Sequence, residues 1–142
     1  MKKYEYIEHT ADIKFQAFGK SLEEVFENSA LAMFNAISDD KIKLIEKKKI
    51  SVFTEGKDNE SLLYEFLEEL LVLFDSEHFM LGKIENLNIK GKKLIAEISG
   101  DKVENYDIKI DVKAITYNDM FVKEEKETKE KRKFISQVVL DV

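Results

Sequence analysis

Two aspartates, Asp12 and Asp141, stand near opposite ends of the chain, each at one end of a predicted strand in otherwise apolar surroundings. Aspartate is disfavoured in strands, so both positions ask for a reason. Two carboxylates brought together from distant parts of a chain can hold a hard divalent cation. Such ions prefer oxygen ligands, and Ca²⁺ also accepts backbone carbonyls. Val142 would add a terminal carboxylate beside Asp141 if the chain ends there. The competing reading is that both aspartates simply cap strand ends or turns. On residue types alone that reading outweighs the metal site, because a pair of aspartates is a weak motif.

His9 lies three residues before Asp12. It can be a ligand, an acid/base group, or an ordinary hydrogen-bonded histidine at a strand end, and the last is the commonest case. Lys113 and Tyr117 sit on the polar side of an alternating segment. Lys113 can hold a phosphate or a partner's carboxylate, but a surface lysine flanked by Asp111 is the plainer reading. A metal-dependent nuclease or phosphatase needs a denser array than His9, Asp12, Asp111 and Asp141. The chain has no cysteine, which excludes disulfides, thiolate nucleophiles and cysteine-held zinc. Its histidines are only His9 and His78, too few for a three-histidine metal site. Its five glycines form no phosphate-cradling motif.

The elements that must position these residues follow from hydrophobic period. Tyr4 to Glu8 and Asp12 to Phe18 read as strands, the second with Ile13, Phe15 and Ala17 alternating against polar neighbours. Ser21 and Glu24 form a capping box, and Leu22 to Ile37 repeats apolar residues at helical spacing. Lys43 to Thr54 reads as strand, and the turn at residues 55–59 supplies an N-cap for a second helix, Leu62 to Phe74. From Met80 onward the pattern is β, with a hairpin turn at Gly91 and unbroken alternation from Tyr106 to Thr116. Residues 123–133 carry interleaved opposite charges and read as a solvated hairpin tip. The closing segment from Phe134 is apolar on both faces, which predicts a strand covered on both sides. Together these predict one α+β domain over residues 1–142, with two amphipathic helices packed on a mixed or antiparallel sheet.

Composition bounds the partners. The chain has 142 residues, 44% hydrophobic and 37% charged, with a net charge of −6. That length supports one core, and that balance argues against a dedicated nucleic-acid binder. No stretch is long and apolar enough for a membrane span or a signal peptide, so a cytoplasmic location without membrane contact is the expectation.

Four segments taken together resemble the archease family. They are Glu8-His9-Thr10-Ala11-Asp12-Ile13, the capped segment from Gly19 to Phe26 with the helix behind it, Val112-Lys113-Ala114-Ile115-Thr116-Tyr117, and Val138-Val139-Leu140-Asp141-Val142. The resemblance runs essentially end to end. It implies a non-enzymatic cofactor of the GTP-dependent tRNA-splicing ligase, which joins RNA ends carrying a 3′-phosphate or 2′,3′-cyclic phosphate and a 5′-hydroxyl. Such a cofactor speeds guanylylation of the ligase's active-site histidine and supports repeated turnover. The family's metal site, usually described as calcium, corresponds to Asp12, Asp141 and Val142; Mg²⁺ and Mn²⁺ suit the same donors. The resemblance makes Lys113 the residue expected to act in activation, with His9 and Tyr117 as companions on the matched segments. tRNA would be met only through the ligase, and oligomeric state is left open. Two positions depart from the family: Asn118 stands where a histidine is frequent, and Phe66 where the second helix often carries tryptophan. The rival readings are a metal-dependent phosphoester hydrolase and a general chaperone or modifier of RNA-processing enzymes.

Overall fold

Leu22, Val25, Phe26, Ser29, Ala30, Met33 and Ile37 lie along one helix, α1 (Leu22–Ile37), in the computed structural model, which describes residues 2–125 and 133–142. Ser21 caps it by accepting the Glu24 N–H at 3.1 Å, and Glu24 reaches back to the Lys20 N–H at 3.0 Å. The second helix, α2 (Asn59–Glu77), is longer than its apolar stripe at both ends. Its start is set by polar residues: Asp58 accepts the Ser61 N–H at 2.7 Å and the Ser61 hydroxyl accepts the Asp58 N–H at 3.1 Å. Its end is set by His78, which turns the chain out in the left-handed region at φ 54°.

The strands divide into two antiparallel sheets. The first has β1 (Tyr4–Ile7), β2 (Ile13–Gly19), β6 (Ala114–Glu124) and β7 (Phe134–Asp141), in the order β1-β2-β7-β6. The second has β3 (Lys48–Glu55), β4 (Phe79–Lys90) and β5 (Lys93–Lys102), in the order β3-β5-β4. Both helices touch both sheets. The α+β class stands as the patterning predicts, but the helices lie between two sheets and do not cover one. That placement explains why α1 buries residues almost all round, including Asn28, Ser29 and Ala32. Phe26 of α1 and Phe66 of α2 stack at the centre, with ring centroids 6.3 Å apart.

Two strand expectations are corrected. Residues 107–113 are not strand; β6 begins at Ala114. The segment is extended, so period-two alternation survives in it: Val112 is buried and Ile110 packs on the core. Its backbone is satisfied elsewhere, with the Lys109 N–H on the Ile37 carbonyl at 2.8 Å and the Asp107 N–H on the Asp40 carboxylate at 2.9 Å. Alternation reports extended backbone, not ladder pairing. Likewise β3 starts at Lys48 and not at Lys43, because Leu44 is left-handed at φ 55° and the N–H groups of Ile45 and Glu46 bind Asp101. Of the charged run, residues 126–132 lie outside the described residues.

Candidate functional site at the end of the first sheet

β7 is the strand that assembles the site. Ile135 to Leu140 are all buried, so its register is tightly specified: a one-residue slip would turn Val138 and Leu140 out of the core. In that register Ile13 is the last residue of β2 paired with β7, opposite Leu140. One step further along that register, Asp12, just before β2, stands at the level of Asp141, the last residue of β7. Facing residues of an antiparallel pair project from the same side of the sheet. On the other flank of β7, Ala114 pairs with Asp141, and the Lys113 N–H donates to the Asp141 carbonyl at 2.8 Å. Asp12, Lys113, Asp141 and Val142 therefore meet at one sheet end, although they come from both ends of the chain.

The turn before β2 aims Asp12. Ala11 is left-handed at φ 65°, a conformation that costs about 1 kcal/mol or more for a residue with a Cβ. His9 Nδ1 stands 3.8 Å from Asp12 Oδ2, too far for a hydrogen bond, with both side chains about one-third exposed. Beside them is an open groove of about 460 Å³, lined by Tyr6, His9, Asp12, Lys14, Asn35 and Lys109 among others. Lys109 is engaged by Asp39 at 2.6 Å, and this contact, first among its causes, holds the Asp39 carboxyl below the usual carboxylate range.

Tyr117 is not at the acidic pair. Its ring stacks on Tyr64 of α2, with centroids 4.4 Å apart and planes 8° from parallel. Burial first, then the nearby Glu65, pushes its hydroxyl pKa up.

The donors can be tested against the cation the resemblance implies. Two carboxylates with a carbonyl or carboxylate oxygen beside them match a hard divalent ion in chemistry, and the Asp141 carboxylate has no partner among the described residues. They do not match it in number. Ca²⁺ takes about six to eight oxygens, and no group of three or more His, Asp or Glu side chains gathers among the described residues. Such a donor set would suit a cation only if water or a second macromolecule filled the remaining positions.

A third aspartate escaped the sequence reading. Asp101 is buried at 2% exposure at the end of β5. Burial alone would raise its pKa. The Tyr106 hydroxyl and the backbone N–H groups of Glu46, Lys102 and Ile45 more than offset this and hold it well below the usual carboxylate range. Asn105 Nδ2 adds a further donor at 3.1 Å. With every donor coming from its own surroundings, Asp101 organises the loop before β3. Only the run Ser99-Gly100-Asp101, small and polar inside a strand pattern, hinted at it.

Comparison with known proteins converges. The model of the archease protein family matches residues 4–142. The protein archease of Methanosarcina barkeri is 42% identical over 99% of this chain and 97% of its own. The protein archease of Pyrococcus abyssi is 48% identical over 84% of this chain and 87% of its own. The solution structure of Methanobacterium thermoautotrophicum protein 1598 superposes with a TM-score of 0.73 at 32% identity, covering all of both chains.

Proposed function

The chain belongs to the archease family, and on that premise we propose that it is a non-catalytic activator of the GTP-dependent tRNA-splicing ligase, acting in the cytoplasm. It promotes guanylylation of the ligase and its repeated turnover in joining 3′-phosphate and 5′-hydroxyl RNA ends.

The observation that carries this reading is the meeting of Asp12, Lys113 and Asp141 at one sheet end. A half-complete set of oxygen donors suits a surface that docks against another protein's metal-dependent site. A sealed structural site would close its own coordination shell. Asp12, Asp141 and a Val142 oxygen would hold the divalent cation, calcium by family description, with water and ligase groups completing it. The cation would supply positive charge opposite phosphate oxygens. Lys113, exposed one residue before the Ala114–Asp141 pair, adds a cationic group at the same sheet end, suited to a nucleotide phosphate or a ligase carboxylate.

The net charge of −6 supports contact with tRNA through the ligase and not directly. Among the described residues, no helix is long and apolar enough to cross a membrane.

The test is ligase guanylylation at limiting ligase, with and without this protein. Stimulation by the protein, together with no phosphodiesterase turnover by the protein alone in Mn²⁺, supports the reading. No stimulation, or turnover by the protein alone, overturns it.

A further inference from the structure

The β6–β7 ladder is interrupted close to the acidic pair. Thr116 faces Val139 and Phe121 faces Gln137, so four residues of β6, Tyr117 to Met120, stand against Val138 alone. Backbone released from a ladder must find other partners. Here it finds a connected set. The Asn118 N–H donates to the Thr116 hydroxyl at 3.3 Å. Gln137 Nε2 donates to the Asp119 carbonyl at 2.7 Å, while Gln137 Oε1 accepts from Gln16 Nε2 at 2.9 Å. Lys14 Nζ pairs with the Asp119 carboxylate at 3.6 Å. The Tyr117 ring lies on Tyr64.

Two features separate this bulge from a plain stability device. Asp119 is left-handed at φ 54°, which destabilises the folded state. Its side chain is 61% exposed, so its ion pair with Lys14 adds little to folding. The arrangement holds a strained excursion in one place, with its fold-supporting contacts confined to the Gln137–Asp119 bond and the Tyr117–Tyr64 stack. It also adjoins the acidic pair directly: Asp12, Lys14 and Gln16 are alternate residues and so share one face of the sheet. Lys14, whose side chain is 17% exposed, is the step between them.

We propose that Lys14 is a positioning residue, which through its ion pair with Asp119 holds the Tyr117–Met120 bulge as a second ligase-contact element beside Asp12 and Asp141. This rests on the activator reading. The bulge presents the exposed Asn118 and Asp119 in fixed register with the acidic pair, so that the ligase meets one preformed surface.

The experiment measures the protein concentration that gives half-maximal stimulation of guanylylation for the wild type, Lys14→Met, Lys14→Arg and Asp119→Asn. Alongside it, NMR follows the signals of residues 117–120 in the free protein, and thermal unfolding is recorded. Asparagine tolerates the left-handed backbone, so Asp119→Asn removes the charge without adding strain. The expected result is a rise of roughly fivefold in the half-maximal concentration for Lys14→Met and Asp119→Asn, the size an ion pair of this exposure can carry. Signals from residues 117–120 shift in both, thermal midpoints stay in place, and Lys14→Arg behaves close to the wild type. Wild-type stimulation with no change in Lys14→Met and Asp119→Asn overturns the positioning role alone. A loss that tracks a lowered thermal midpoint also overturns it. A wild type that does not stimulate overturns the activator reading and, with it, the contact role.

Discussion

The backbone N–H of Lys113 donates to the carbonyl oxygen of Asp141 at 2.8 Å. The bond joins the connector before β6 to the last pair of β7 through main-chain atoms only. The Lys113 side chain is therefore free of any fold-supporting duty in this contact, and it is exposed at the same sheet end as Asp141. Lys113→Ala should leave stability within about 0.5 kcal/mol of wild type, as exposed substitutions usually do. If the ammonium meets a phosphate or carboxylate at the ligase, the same change should weaken stimulation roughly tenfold or more, the range of one charge-assisted hydrogen bond. Thermal unfolding and guanylylation, measured on the same preparation, check the two halves separately.

Asp101 predicts an acid-dependent loss of stability. Its folded pKa lies well below the usual carboxylate range, and its unfolded value is about 3.9. A depressed carboxylate stabilises fully above its unfolded pKa. That contribution declines as pH falls below about 4 toward the folded value. Asp101→Asn keeps one acceptor oxygen and leaves N–H donors of the loop before β3 unsatisfied, at a cost of about 3 kcal/mol. The gap between wild type and variant should be full at neutral pH and shrink below about pH 4. Urea unfolding across that range measures it, and a gap independent of pH would contradict the assignment.

Phe66 tests the packing between the sheets. It is fully buried and stacked on Phe26. Phe66→Ala should cost about 3–5 kcal/mol by opening a cavity between the helices. Phe66→Trp adds volume to a site with none to spare and should cost about 1–3 kcal/mol unless neighbours repack. Denaturant midpoints at constant slope distinguish both from a change in the unfolded state.

The net charge of −6 predicts weak, non-saturating binding of the isolated protein to tRNA at physiological salt. Filter binding at several salt concentrations checks this. Tight binding that falls steeply with salt would mean a direct RNA contact.

How much of this was legible in the sequence differs from element to element. The helices were, because Ser21, Glu24 and the apolar spacing of Leu22 to Ile37 act locally. The covered final strand was also legible, since the segment Ile135 to Leu140 is apolar on both faces over much of its length, with Ser136 and Gln137 the polar residues in it. The proximity of Asp12 and Asp141 was not, by residue pattern alone. It depends on which strands neighbour β7 and in what register, a long-range outcome that residue pattern does not carry. Period-two alternation puts Tyr117 on the same polar side as Lys113. The bulge that begins at Tyr117 breaks the alternation and sends its ring to Tyr64 on α2. Residues 107–113 misled because an extended connector and a strand share the same period. Asp101 left only the faint mark of Ser99-Gly100-Asp101, because its donors, from Ile45 and Glu46 to Tyr106, are brought together only by folding.

The most direct test is ligase guanylylation stimulated by Asp12→Ala, Asp141→Ala and the double variant, each first shown to unfold at the wild-type temperature. Both residues lie at the sheet end, Asp141 exposed and Asp12 partly so, and neither anchors the core. Loss of stimulation in each single variant, with the double variant no worse than the weaker single one, is the predicted result, because the two carboxylates act as one unit. Full stimulation by both single variants would contradict the role assigned to the acidic pair.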